Sequence, residues 1–194
     1  MEDFGLYFEL GLEHIADING YDHILFIAAL CLGLLPRDWK RILILVTAFT
    51  LGHSITLALS TLNIVNVSSD WIEFLIPVTI IITVLLNVRN RDFTGSRKFG
   101  SPEYFLTGFF GLIHGLGFSN YLKSLLGSDS QIFWQLLAFN VGLEIGQLLI
   151  VAVLILVSVI CINLIKFPRR EYIIFTSGAI FGIALIMALE RIPF

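Results

Sequence analysis

Between Ile132 and Ile165 the chain carries a single charged residue, Glu144. A bilayer imposes such a run, because about 20 helical residues are needed to cross a hydrocarbon core of about 30 Å. Further apolar runs lie at residues 20–35, 39–61, 71–88, 103–122 and 172–190, which makes six predicted spans. Backbone amides in lipid must be bonded within the protein, and these runs lack the short alternating segments of a barrel, so they are read as helices. With 57% hydrophobic residues, 14% charged residues and a mean hydropathy of +0.89, the chain is an integral membrane protein. No linker or low-complexity tract interrupts it. The expected fold is an all-α membrane protein, a six-transmembrane-helix bundle forming one integral membrane domain over residues 1–194.

Charge sets the orientation. Arg37, Lys40 and Arg41 follow the first span, Arg89, Arg91, Arg97 and Lys98 the third, and Lys166, Arg169 and Arg170 the fifth. These are ten of the twelve basic residues; Lys123 and Arg191 fall on the other side, where Asp70, Glu73 and Asp129 also lie. The positive-inside rule then places both termini outside, on the periplasmic side of a bacterial inner membrane. The first residues include Glu2, Asp3, Glu9 and Glu13, with no Lys or Arg before Arg37, unlike a secretory signal, so the first hydrophobic run is expected to be retained. Cys31 and Cys161 lack any pairing motif and are read as packing residues. Gly111–Gly115, Gly142–Gly146 and Gly178–Gly182 have the spacing that lets helix backbones approach closely. Phe-x-Leu-x-His occurs at 49–53 and 110–114, too short a match to establish a repeat.

All four histidines, His14, His23, His53 and His114, fall in or beside predicted spans. Asp17 and Asp22 accompany the first two, and Asn140, Glu144 and Gln147 share one face of the fifth span. At about 1.5 Å of rise per residue, His53, His114 and Glu144 converge on the outer half to the middle of the bilayer. The 14 residues from Asp22 to Leu35 give only about 21 Å of helix. Asp22 and His23 are therefore expected below the outer surface, with Asn19-Gly20 as a break and residues 4–17 as an additional amphipathic or re-entrant helix. With no Lys or Arg at mid-span, the buried carboxylates lack a basic partner, and a bound cation would satisfy them. Imidazole and carboxylate donors suit zinc, nickel, cobalt or iron(II); two methionines and no paired cysteines argue against copper(I). The candidate ligands are His14, Asp22, His23, His53, His114 and Glu144, supported by Asp17, Asn140, Gln147 and Ser54. Thr47, Thr50, Ser54 and Thr56 either orient His53 or bond back to their own helix.

The stretches GLEHIADINGYDHILFI, FTLGHSITLAL, FGLIHGLGF and FNVGLEIGQL resemble, in order, the recurring motifs of the HupE/UreJ family of bacterial inner-membrane proteins, across about residues 10 to 150. The resemblance implies a small polytopic protein associated with nickel or cobalt supply to metalloenzymes. His14, Asp22 and His23 match the family's amino-terminal element, His53 and His114 its later histidines, and Glu144 its later acid. Where founding members carry a histidine-proline pair, His14 is followed by Ile15.

Three functions follow. The first is a nickel or cobalt permease, more transporter than enzyme, with a divalent metal ion and the lipid bilayer as partners, no nucleic acid, and a homo-oligomer left open. The second is an intramembrane zinc-dependent hydrolase acting on a lipid or peptide bond, although no HExxH helix occurs. The third is a structural or accessory membrane subunit. No P-loop is present for nucleotide hydrolysis.

Overall fold

The computed structural model describes residues 2–89, 101–126 and 132–193, and among these it contains helices and no strand. Seven α-helices follow one another: α1 (Glu2–Ala16), α2 (Asp22–Cys31), α3 (Trp39–Thr61), α4 (Ser69–Arg89), α5 (Ser101–Leu126), α6 (Ile132–Val159) and α7 (Arg169–Glu190). A 3-10 turn at Pro36–Asp38 leads into α3, and a π turn at Ile160–Leu164 prolongs α6.

The first two helices are short for identifiable reasons. After α1, the Asp17 carboxylate accepts the Asn19 backbone N–H at 2.8 Å, a local turn that competes with helix continuation. At the far end of α2, Gly33 takes φ +88, a conformation glycine adopts without strain, and Arg169 donates to its carbonyl. The expected break at Asn19-Gly20 is thus present, within residues 17–21.

Glycine decides how the helices pair. A Cβ on Gly11 would lie 2.0 Å from the Phe139 carbonyl oxygen, and one on Gly142 would lie 2.0 Å from that of Phe8. On the other pair, a Cβ on Gly52 would lie 2.1 Å from the Gly108 oxygen, and one on Gly111 would lie 2.2 Å from the Phe49 oxygen. The backbones of α1 and α6 therefore touch, as do those of α3 and α5, with numbering that rises together along each pair, so each pair is parallel. The Gly111–Gly115 and Gly142–Gly146 spacings serve these contacts, whereas Gly178 and Gly182 have nothing within 4 Å.

The pairs run in opposite senses. Glu73 near the start of α4 and Arg191 just past α7 face the same cavity, so these two packed helices are antiparallel. Short connections, at 62–68 between α3 and α4 and beyond the π turn between α6 and α7, reverse the chain. It follows that α1 and α6 run with α4, while α3 and α5 run with α7. α2 lies against α4, α6 and α7 and buries His23, Phe26, Ile27, Ala29, Leu30 and Cys31. Asn87, near the end of α4, is buried and donates to the Ala29 carbonyl at 2.5 Å.

Residues 36–61, 69–89, 132–164 and 169–190 form four helical segments long and apolar enough to cross a membrane. The other two expected spans are different in kind. The run at 20–35 contains a helix of only 10 residues, and α5, at 26 residues, is long but less apolar because of its glycines, His114 and Asn120. α1 buries Tyr7, Gly11 and Ile15 along one face and exposes Glu9 and Glu13 on the other. Arg91, Arg97, Lys98 and Asp129 lie outside the described residues.

Candidate metal centre

Each histidine is delivered by a feature of its own helix. His14 lies one turn beyond Gly11, where α1 sits on α6, and His53 directly follows Gly52, where α3 sits on α5. His114 lies one turn beyond Gly111. His23 is the second residue of α2; Asp22 Oδ1 accepts its backbone N–H at 2.8 Å and lies 3.1 Å from its ring Nδ1.

His14, His23 and His53 each place one ring nitrogen within 4.8 Å of the other two, a spacing that allows them to share one ion. The ring centroids of His14 and His23 are 4.6 Å apart, and those of His23 and His114 are 5.2 Å apart. His53 and His114 are wholly buried. His14 Nε2, His23 Nε2, both nitrogens of His53 and His114 Nδ1 are buried without a hydrogen-bond partner among the described residues. Leaving one buried polar atom unpaired costs about 1–3 kcal/mol. Four imidazoles that leave five nitrogens unpaired are a poor packing core, and one lone pair from each makes a donor set suited to nickel, cobalt or zinc.

Aromatic rings wall the cluster. Phe118 lies 3.9 Å from His14 between centroids, and Phe26 and Phe49 lie 5.1 and 5.2 Å from His114. Above the cluster opens a cavity of about 920 Å³. His14, His23 and His114 line it, together with the acids Glu13, Asp17, Asp22 and Glu73 and one basic residue, Arg191. An acid-rich cleft with low-dielectric walls raises the local cation concentration.

The acids do not join the histidines as the sequence suggested. The expectation that the buried carboxylates lack a basic partner fails for Asp22, whose Oδ2 lies 3.5 Å from Arg191 Nη1 while Oδ1 faces His23. A charge beyond the last helix folds back over the cavity, which counting residues within spans does not anticipate. Asp22 therefore stands where a carboxylate orients an imidazole and leaves Nε2 for a metal. Glu144 accepts from the Thr47 hydroxyl at 2.7 Å and is outside the three-histidine group. Thr47 precedes His53 by six residues, about 9 Å of helix.

Gln147 is buried and accepts from Thr50 at 2.8 Å; Asn140 donates to the Leu136 carbonyl at 2.8 Å. Ser54 bonds back to the Thr50 carbonyl at 2.6 Å, and Thr56 back to the carbonyls of Gly52 and His53. Asp17 is exposed on the cavity wall, spent on its turn. Of the candidates, the structure brings together His14, His23 and His53, with Asp22 and His114 alongside; it keeps Glu144, Gln147 and Asn140 on the α6 face that meets α3. Thr79, absent from the candidates, lies 3.0 Å from His114 Nε2, and nothing in an apolar α4 sequence singled it out.

Comparison with curated proteins and with solved structures finds no match. The profile described as HupE / UreJ protein matches residues 1–191, essentially the whole chain. The apolar helices and that match agree on a membrane protein related to nickel or cobalt. The chain belongs to the HupE/UreJ family.

Proposed function

We propose that this protein is a permease that carries a divalent transition metal ion, nickel or cobalt, across the bacterial inner membrane. The observation that carries the reading is the meeting of three imidazoles, each with an unpartnered buried nitrogen, beneath an acid-lined cavity. In this reading a hydrated ion enters the cavity, sheds water as His14, His23 and His53 replace it, and is released on the other side. Asp22 holds His23 so that its Nε2 faces the ion. The bundle crosses the membrane six times, with the broken α1–α2 tandem and α5 completing the four long apolar segments, as one domain with both termini outside. A broken helix beside a buried site is a recurring arrangement in secondary transporters.

The test is uptake of radioactive nickel or cobalt by proteoliposomes holding the purified protein. Saturable uptake that His53→Ala abolishes supports the reading; stoichiometric binding without passage overturns it. One observation favours a second reading: three imidazoles leave a coordination position facing a cavity roomy enough for water and substrate, the arrangement of a zinc hydrolase. Hydrolysis of lipid or peptide substrates by the zinc-loaded protein, without ion passage, would select it.

A further inference from the structure

Resting on the permease reading, we infer that the ion moves on from its first position by exchanging His14 for His114, so that His23 and His114 hold a second position for the same ion. His14, His23 and His53 form the first position. His114 lies outside that group, yet its Nδ1 is buried without a partner among the described residues, in a wholly buried ring.

The tautomer of His114 is set by its neighbour. The Thr79 hydroxyl donates its one proton to the Ile76 carbonyl at 2.7 Å, so at 3.0 Å from His114 Nε2 its oxygen accepts the ring N–H. His114 Nδ1 is then a bare lone pair, held ready for a cation rather than for a neighbouring donor. His23 stands between the two histidines that trade places, with centroids 4.6 Å from His14 and 5.2 Å from His114. Two divalent ions a ring's width apart would repel strongly, so the positions are filled in turn.

An internal correspondence makes the exchange a property of the fold. In α1 the sequence is Gly11-Leu12-Glu13-His14, and in α5 it is Gly111-Leu112-Ile113-His114. Gly11 seats α6 through Phe139 and Gly142, and Gly111 seats α3 through Phe49 and Gly52, the latter in Phe-x-x-Gly of both helices. The pair α1–α6 therefore corresponds to the pair α5–α3, and the two pairs run in opposite senses. His14 and His114 occupy the same place in two inverted halves, and both reach the cavity beside His23. The apparent repeat of Phe-x-Leu-x-His between α3 and α5 is a different alignment, because α3 and α5 are partners in one pair.

The experiment compares wild type, His114→Ala and Thr79→Val for equilibrium binding of nickel or cobalt, for the number of imidazoles on the ion by X-ray absorption, and for proteoliposome uptake. Expected for His114→Ala are three imidazoles on the ion and affinity within about threefold of wild type, with uptake reduced about tenfold or more. Thr79→Val keeps the side-chain volume, removes the acceptor that fixes the tautomer, and slows uptake without changing binding; it carries the test where the alanine variant fails to fold. If His114→Ala loses the ion, there is one four-imidazole centre and the inference is overturned. If either folded variant transports like wild type, His114 is packing and the inference is equally overturned. Wild-type protein that binds an ion and never passes it defeats the permease reading itself, a result distinguishable from both.

Discussion

Asp22→Asn separates an orienting carboxylate from a ligand. The substitution keeps the volume and an oxygen able to accept the His23 backbone N–H, and removes the charge 3.1 Å from His23 Nδ1. Losing a carboxylate that orients a metal-binding histidine typically lowers affinity about 10–100-fold, or about 1.4–2.7 kcal/mol. Arg191 provides the control. Its guanidinium lies 3.5 Å from Asp22 and is 32% exposed, so the pair contributes about 0–1 kcal/mol and Arg191→Gln should shift affinity less than about fivefold. Equilibrium binding of nickel and cobalt to detergent-solubilised protein reads both numbers. Unchanged affinity in Asp22→Asn would refute the orienting role, and complete loss of binding would make Asp22 a direct ligand.

Other outcomes follow from the same geometry. Gly142→Ala places a methyl 2.0 Å from the Phe8 carbonyl and should destabilise the fold by about 1–3 kcal/mol, whereas Gly178→Ala meets nothing and should be neutral or stabilising by up to about 1 kcal/mol; thermal unfolding in detergent measures both. Nickel or cobalt at about 100 times its dissociation constant should stabilise the protein by about 2.7 kcal/mol, an increase that a chelator removes and that His53→Ala never shows. Cysteines placed at Asp17 and Glu73 should react with a membrane-impermeant thiol reagent added outside, and a cysteine at Arg37 should not; the reverse pattern would invert the proposed topology.

Much of the architecture is legible because lipid leaves the backbone few options. The run at 39–61 coincides with α3, and those at 71–88 and 172–190 fall within α4 and α7, because hydropathy and length speak for whole helices. Hydropathy says less where the helix is shielded by protein: α5 carries glycines and a histidine against α3, and α2 is short and enclosed. The gathering of histidines was readable from their depth along each helix, which depends only on rise per residue. The place of Glu144 was not. Depth counted from each side of the bilayer put Glu144 level with His53, yet Glu144 bonds to Thr47, about 9 Å of helix from His53. Arg191 was invisible as a partner for Asp22 because 169 residues separate them and only the fold returns one to the other. Thr79 fixes His114 by a contact between different helices, for which a single chain offers no periodic signal.

The bare α-carbons of Gly11, Gly52, Gly111 and Gly142 also limit how this protein can move. A helix resting on another's carbonyl oxygens at that separation can neither roll nor slide by one residue without driving a side chain into main chain. Each coupled duplex is thus a stiff rod, and freedom belongs to the seam between rods and to the unwound elbow at residues 17–21.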